Sequence, residues 1–198
     1  DNIVLRPWLG FKGFSVTIPH KEHAFNYVRE KGGDIDTLAK KIGAVNTIII
    51  NGSQLSAYNT DCIAAIEAIV TGLGIDKAGL RKMPAAIIGA GGGARAIVAG
   101  LVDAEAKVKI YNRTVERAKH LAGDFKCDYA SLDKLHKLKE KLIVNCTSIG
   151  MHPHVDASPV EVKILQKHMA VFDTVYNPPE TLLLKHAKQT GCHVISGV

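Results

Sequence analysis

"AAIIGAGGGARAIVAGLV", residues 85–102, reads as a strand, a glycine loop and a helix in immediate succession. Four apolar residues, Ala85 to Ile88, run straight into Gly89, Ala90 and Gly91, and an alanine-rich stretch with helical spacing follows. Gly89, Gly91 and Ala94 fit the GxGxxA spacing directly after a strand and at the opening of a helix, the context in which it carries meaning. Glycine permits the tight turn and lets backbone NH groups approach a pyrophosphate, whose charge a helix N-terminus favours. The alternative is a glycine-rich strand-to-helix turn that holds no ligand.

Downstream the same texture repeats. "KVKIYNRTVERAKHLAGDF", residues 107–125, predicts a strand, a Thr114 cap and a helix; "KLIVNCTS" (141–148), "MAVFDTVY" (169–176) and "CHVISGV" (192–198) are further strand candidates. Strand and helix in alternation predict a parallel doubly wound sheet, a Rossmann-like arrangement. The second strand decides which dinucleotide suits the loop. It ends in Asn112-Arg113-Thr114 with Arg117 one helical turn on, and lacks the Asp or Glu that accepts from a ribose 2′-hydroxyl. A guanidinium fork there matches a 2′-phosphate, so the expected cofactor is NADP. A solvated surface arginine is the alternative.

Upstream, "GFSVTIPHK" (13–21) alternates as a strand from Gly13 to Ile18, and "KEHAFNYVREKGG" (21–33) reads as a helix. "DIDTLAKKIG" (34–43) is a second, short helix. "AVNTIII" (44–50) and "QLSAYN" (54–59) flank "NGS" as a hairpin. Antiparallel pairing about Gly52 sets Asn46 opposite the neighbourhood of Tyr58, and so near Asp61, which opens the helix "DCIAAIEAIVTGLG" (61–74). Lys21 stands in a first helical turn, where the dipole disfavours an ammonium. It is either an ordinary solvated lysine or a proton-transfer group beside Asn46 and Asp61. Ser15 and Thr17, two apart on the strand, point the same way, either to line the same pocket or to bond their hydroxyls to backbone. "GIDKAGLRKMP" (74–84) is polar enough to mark a boundary near Lys82. The expected fold is α/β: a small α/β substrate domain over 1–82, incomplete at its N-terminus, then an NADP-binding domain over 83–198.

With 198 residues, 46% hydrophobic and 22% charged, the composition is that of a globular protein. No apolar run approaches the roughly 18 residues of a membrane helix, and no leader peptide is visible. The chain opens on Asp1 rather than Met, which fits a piece of a longer protein. Its +6 charge is scattered without aromatic interleaving, which favours anionic small molecules over nucleic acid. Cys62, Cys127, Cys146 and Cys192 form no CxxC pair and read as packing thiols of a reducing compartment, cytoplasm or plastid stroma. His20/His23 and His152/His154 lack a third ligand in pattern, so no metal site is expected.

Taken together these residues resemble the shikimate dehydrogenase family. The motifs that carry the resemblance occur in order: "GFSVTIPHK", "GAVNT" (43–47), "NTD" (59–61), "GAGGGARA" (89–96), "NRT" (112–114) with Arg117, "NCTSIGM" (145–151) and "DTVYNPPET" (173–181). The wording looks most like the plant form, in which the domain follows a dehydroquinate dehydratase, and this implies a possible covalent fusion. The resemblance implies NADPH-dependent, reversible reduction of 3-dehydroshikimate to shikimate, on the route to aromatic amino acids. Quinate as substrate, or an impaired NADP-binding fragment, is the alternative. Carried over by motif, Lys21 and Asp61 are catalytic. Ser15, Thr17, Asn46, Asp61 and Tyr176 bind substrate. Gly89, Gly91, Gly92, Gly93, Ala94, Asn112, Arg113, Thr114, Arg117, Thr147 and Met151 bind the cofactor, and direct hydride transfer requires no metal. The family's upstream serine motif and downstream glutamine segment, both substrate contacts, are not among these 198 residues.

Overall fold

The run that decides the fold forms a strand, Pro84–Ile88, and a helix, Gly92–Asp103. The computed structural model, which describes residues 10–197, sets that strand inside a six-stranded parallel sheet. The first part of the chain forms β1 (Gly13–Ser15), α1 (Lys21–Glu30), β2 (Asp34–Ile35), α2 (Thr37–Ile42), β3 (Thr47–Asn51), β4 (Gln54–Tyr58) and α3 (Asp61–Leu73). The remainder forms β5 (Pro84–Ile88), α4 (Gly92–Asp103), β6 (Lys107–Asn112), α5 (Val115–Phe125), β7 (Asp128–Ser131), β8 (Leu142–Asn145), β9 (Ala170–Asp173), α6 (Leu182–Gln189) and β10 (His193–Ser196).

The large sheet runs β10-β9-β8-β5-β6-β7, the doubly wound order, with its reversal between β5 and β8. A strand covered on both faces must be apolar on both, and β5 is. Ala85 and Ile87 enter the cluster shared with α3, α4 and α5, while Ala86 and Ile88 enter the one closed by Leu183 and Leu184 of α6. The small sheet runs β1-β3-β4-β2, antiparallel except for the β2–β4 pair. Its core is modest: Val28, Ile35, Ala39, Val45, Ile48, Leu55 and Ala57.

Several local expectations change. β1 ends at Ser15, not Ile18: Val16 N still donates to Asn46 O at 2.7 Å, and the chain then turns through a bond from His20 N to Thr17 O. Asp34 and Ile35 pair with Ser56 and Ala57 as a strand, so the short helix begins only at Thr37. The Asp36 carboxylate caps it, accepting from Leu38 N and Ala39 N. Thr114 occupies the first position before α5, but its side chain makes no capping bond; its carbonyl is taken instead by Asn112 Nδ2 at 2.8 Å. The sequence pattern predicts neither β7 nor α6.

α3 follows the hairpin in sequence, yet its buried face, Cys62, Ala65, Ile66 and Ile69, belongs to the large sheet's cluster. Two glycines allow this close approach. A Cβ on Gly72 would meet Ile195 of β10 at 2.7 Å, and one on Gly100 of α4 would meet Ile66 at 2.5 Å and Cys62 Sγ at 3.0 Å. Gly100→Ala therefore wedges α3 from α4. The expected loss is about 1–3 kcal/mol despite alanine's better helix propensity, measured by urea unfolding.

Candidate active site

The site grows from the way α3 begins. Asn59, 3% exposed, donates through Nδ2 to Ala44 O at 2.9 Å, and its Oδ1 accepts from Asp61 N at 3.1 Å and Cys62 N at 3.4 Å. Asn59 thus satisfies the first NH groups of the helix, as a capping residue does. The Asp61 carboxylate is left free for other work. Its Oδ2 meets Lys21 Nζ at 2.5 Å, and its Oδ1 accepts from Asn46 Nδ2 at 2.8 Å. The hairpin register, Thr47 opposite Tyr58 with Asn46 N donating to Tyr58 O, delivers Asn46 there, as the spacing about Gly52 predicts. Lys21 is held by its backbone as well, since Lys21 O accepts from Val45 N at 3.0 Å. With side-chain exposures of 14% and 31%, the pair is sheltered but within reach of a ligand.

Two cavities meet at Lys21. One, of about 300 Å³, lies at the C-terminal ends of β5 and β8, where the strand order reverses, and is walled by Gly89, Gly91, Gly93, Arg113, Arg117 and Thr147. No side chain caps α4, whose N-terminus opens on this cavity, and a Cβ on Gly91 or Gly93 would meet nothing within 4 Å. Among the described residues Arg113 and Arg117 have no ion-pair partner, whereas Arg81 and Arg95 are paired with Glu105 and Asp124. Uncapped amides and two unneutralised guanidinium groups fit an anionic dinucleotide with a further phosphate. The second cavity, of about 450 Å³, is walled by Thr17, Asp61, Thr174, Tyr176 and the alanines of α3. A cavity of about 480 Å³ opens elsewhere, beside Lys107, Lys126 and Asp128, at the edge of the sheet where ligands of this architecture do not bind. It holds none of the candidate residues.

The expected residues do not all converge. Lys21, Asp61, Asn46 and Thr17 come together, as do Gly89, Gly91, Gly92, Gly93, Asn112, Arg113, Arg117 and Thr147. Tyr176, 69% exposed, stands at the mouth of the second cavity. Ser15 lies exposed on β1 opposite Thr47, outside both walls. Ala94 is buried in the core, Thr114 forms the turn before α5, and Met151 is exposed on the loop after β8. Cys146 lines the floor of both cavities, and burial pushes its thiol well above the ordinary range.

A family model described as shikimate / quinate 5-dehydrogenase matches residues 73–179, and one described as shikimate dehydrogenase substrate binding domain matches 4–48. The chain belongs to the shikimate dehydrogenase family. The NADP(+) shikimate dehydrogenase of Caldanaerobacter subterraneus is 39% identical over 96% of this chain and 68% of its own length. The chloroplastic bifunctional 3-dehydroquinate dehydratase/shikimate dehydrogenase of Arabidopsis thaliana is 41% identical over 94% of this chain and 33% of its own. Among solved structures, a shikimate dehydrogenase in complex with NADP+ superposes with a TM-score of 0.86 at 36% identity, over 99% of this chain and 69% of that one. The Thermus thermophilus enzyme in complex with NADP(H) and shikimate gives 0.82 at 33% identity, over 99% and 70%.

In this shikimate dehydrogenase-family chain a buried polar network, for which the sequence reading gave no role, stands behind the cleft. Asn145, Asp173 and Thr181 are each 0% exposed. Asp173 accepts from Asn145 Nδ2 at 2.9 Å, Thr181 Oγ1 at 2.6 Å and Val175 N at 3.0 Å. Asn145 Oδ1 in turn accepts from Thr147 N and Oγ1, which fixes the loop that enters the glycine-walled cavity. Burial raises the Asp173 carboxyl above its ordinary value even against these three donors. A raised folded value means the folded chain holds the proton longer than the unfolded one, so stability falls as pH rises from the ordinary value of 3.8 to the raised one. Asp173→Asn removes that slope. Urea unfolding from pH 3.5 upward is expected to show wild type losing stability relative to the variant across this window and running parallel above it.

Proposed function

We propose that the chain catalyses the NADP-dependent, reversible reduction of 3-dehydroshikimate to shikimate. The observation that carries this reading is the Lys21–Asp61 pair at the junction of a cationic, glycine-walled cavity and a largely apolar one with a few polar groups, Thr17, Asp61, Thr174 and Tyr176. The names of the relatives, which pair shikimate with NADP, support it. Residues 1–82 are the substrate half and 83–198 the NADP half; residues 1–9 and 198 lie outside the described residues.

Gly89, Gly91, Gly92, Gly93 and Thr147 would hold the pyrophosphate of the dinucleotide, with Ala94 packing the helix behind them. Asn112, Arg113 and Arg117, on the turn that Thr114 completes, would hold the 2′-phosphate, and Met151, on the loop after β8, would close the cofactor side. When bound, NADPH supplies the hydride. Lys21 Nζ donates a proton to the substrate carbonyl oxygen as it gains negative charge, and in the reverse direction takes the hydroxyl proton. Asp61 holds the lysine head in place and accepts from a substrate hydroxyl, with Asn46, Thr17 and Tyr176 binding the rest of the ring; Ser15, outside both walls, takes no part. Because Lys21 lines both cavities, a cofactor held in the first and a substrate held in the second would meet beside its ammonium.

A second reading, quinate as substrate, is favoured by the name of the family model that matches residues 73–179. Nicotinamide absorbance with shikimate and with quinate, each against NADP and NAD, separates the two. Identity is 41% to the fused plant relative and 39% to the bacterial one, so the plant-like wording favours neither a fused nor a separate arrangement. No helix among the described residues is long and apolar enough to cross a membrane. Four free cysteines support a reducing compartment, cytoplasm or plastid stroma.

Lys21→Ala in the full-length protein is expected to lower kcat by roughly 10²–10⁴-fold with KM for shikimate little changed; turnover near wild type defeats the assignment. Arg113→Ala is expected to weaken NADP by roughly tenfold to a hundredfold and NAD hardly at all, read by titration of each nucleotide. Equal losses for the two contradict the 2′-phosphate role.

A further inference from the structure

The three consecutive glycines of the loop do not have the same surroundings. A Cβ on Gly91 or Gly93 would enter open space, but one on Gly92 would meet Lys21 Cβ at 2.8 Å, Cδ at 3.4 Å and Cγ at 3.5 Å. The lysine stem lies along the backbone of Gly92. Backbone strain is not what requires glycine there, because Gly92 is absent from the positive-φ residues and is the first residue of α4. An alanine suits that position on conformational grounds. What forbids it is the Cβ of the lysine, which, unlike the tip of a flexible side chain, moves only if α1 moves.

We propose that Gly92 is a positioning residue for Lys21, in addition to its place in the dinucleotide loop. Lys21 is then located from three directions: its carbonyl by Val45 N, its head by the Asp61 carboxylate, and its stem by the bare backbone of Gly92. The turn that seats the dinucleotide also sets where the proton donor stands. This rests on the catalytic reading of Lys21 given above, but the contact itself can be tested without it.

The test is a cycle of Gly92→Ala and Lys21→Gly, the latter removing the Cβ that an alanine at 92 meets. In the wild-type background Gly92→Ala is expected to lower Tm and to reduce kcat by about 100-fold, the effect of a displacement near 1 Å. NADP affinity, measured by titration, falls by less than kcat does, whereas Gly91→Ala, whose methyl enters the cavity, weakens NADP more than it lowers kcat. In the Lys21→Gly background Gly92→Ala is expected to raise Tm, as alanine for glycine does at a compatible helical position. That reversal of sign remains readable if the single Gly92 variant does not fold. Equal destabilisation in both backgrounds overturns the proposal, as does wild-type kcat in Gly92→Ala, or a loss confined to NADP affinity. If Lys21→Ala keeps its turnover, the catalytic reading fails while the sign reversal still reports on the contact.

Discussion

The carboxylate of Asp61 is the point on which separately built parts of the chain must agree. One oxygen takes Lys21 from the start of α1, the other takes Asn46 from the loop before β3, and both partners come from the part of the chain that builds the small sheet. Asp61 itself is carried by α3, whose Ile66 and Ile69 are buried against the large sheet. The pair is sheltered, and the cost of desolvating both charges offsets much of their attraction, so its net contribution is small. Burying one isoleucine contributes about 1.5–3 kcal/mol. The ion pair therefore does not hold the two sheets together. Apolar packing of α3 places the carboxylate, and the polar groups of the small sheet are assembled around it.

Arg95 braces the same junction from behind. Only 13% exposed, its Nε donates to Ile42 O at 2.7 Å, a carbonyl left over at the end of α2. Its Nη2 pairs with Asp124 of α5 at 2.9 Å, and the guanidinium lies over the Phe125 ring. One side chain of α4 so ties the last turn of α2 to α5. Gly43, at φ 72°, must pass beneath it, and a Cβ there would meet Nη2 at 2.9 Å. The segment that follows supplies Ala44 O to Asn59 and the Asn46 side chain to Asp61. Its course is fixed from the large-sheet side, by groups remote in sequence.

Where physics leaves a periodic or stereochemical mark, the sequence was legible. The glycine loop, the doubly wound alternation and the missing carboxylate after β6 lie within consecutive residues, and the two-residue period of the hairpin carries Asn46 to Asp61 without further information. What was not legible lacks such a mark. β2 is too short to show a period, and β7 is an edge strand with Asp128 and Tyr129 exposed. The alternation that suggested a strand to Ile18 continues after the chain has left the ladder. Asn59, Asp173 and Thr181 act through partners brought close only by folding, apart from the helix-start position that marks Asn59 as a potential cap. The allegiance of α3 to the large core follows from Gly72 and Gly100, each unremarkable until its neighbour across the interface is known.

The two cavities also differ in the kind of force they offer. On the glycine-loop side Arg113 and Arg117 outnumber the single carboxylate of Glu22 and are backed by uncapped helix amides. On the substrate side a carboxylate, an amide and hydroxyl groups offer short-range, directional hydrogen bonds. A fixed positive field gathers any phosphate-bearing ligand and discriminates little beyond charge, whereas directional groups discriminate between ring hydroxyls at close range. Lys21 is the one charged side chain common to both walls, and its ammonium is already engaged by Asp61. That engagement keeps the lysine from serving as one more phosphate contact. It leaves the lysine head directed at the Asp61 side of a cleft whose other side carries Arg113 and Arg117.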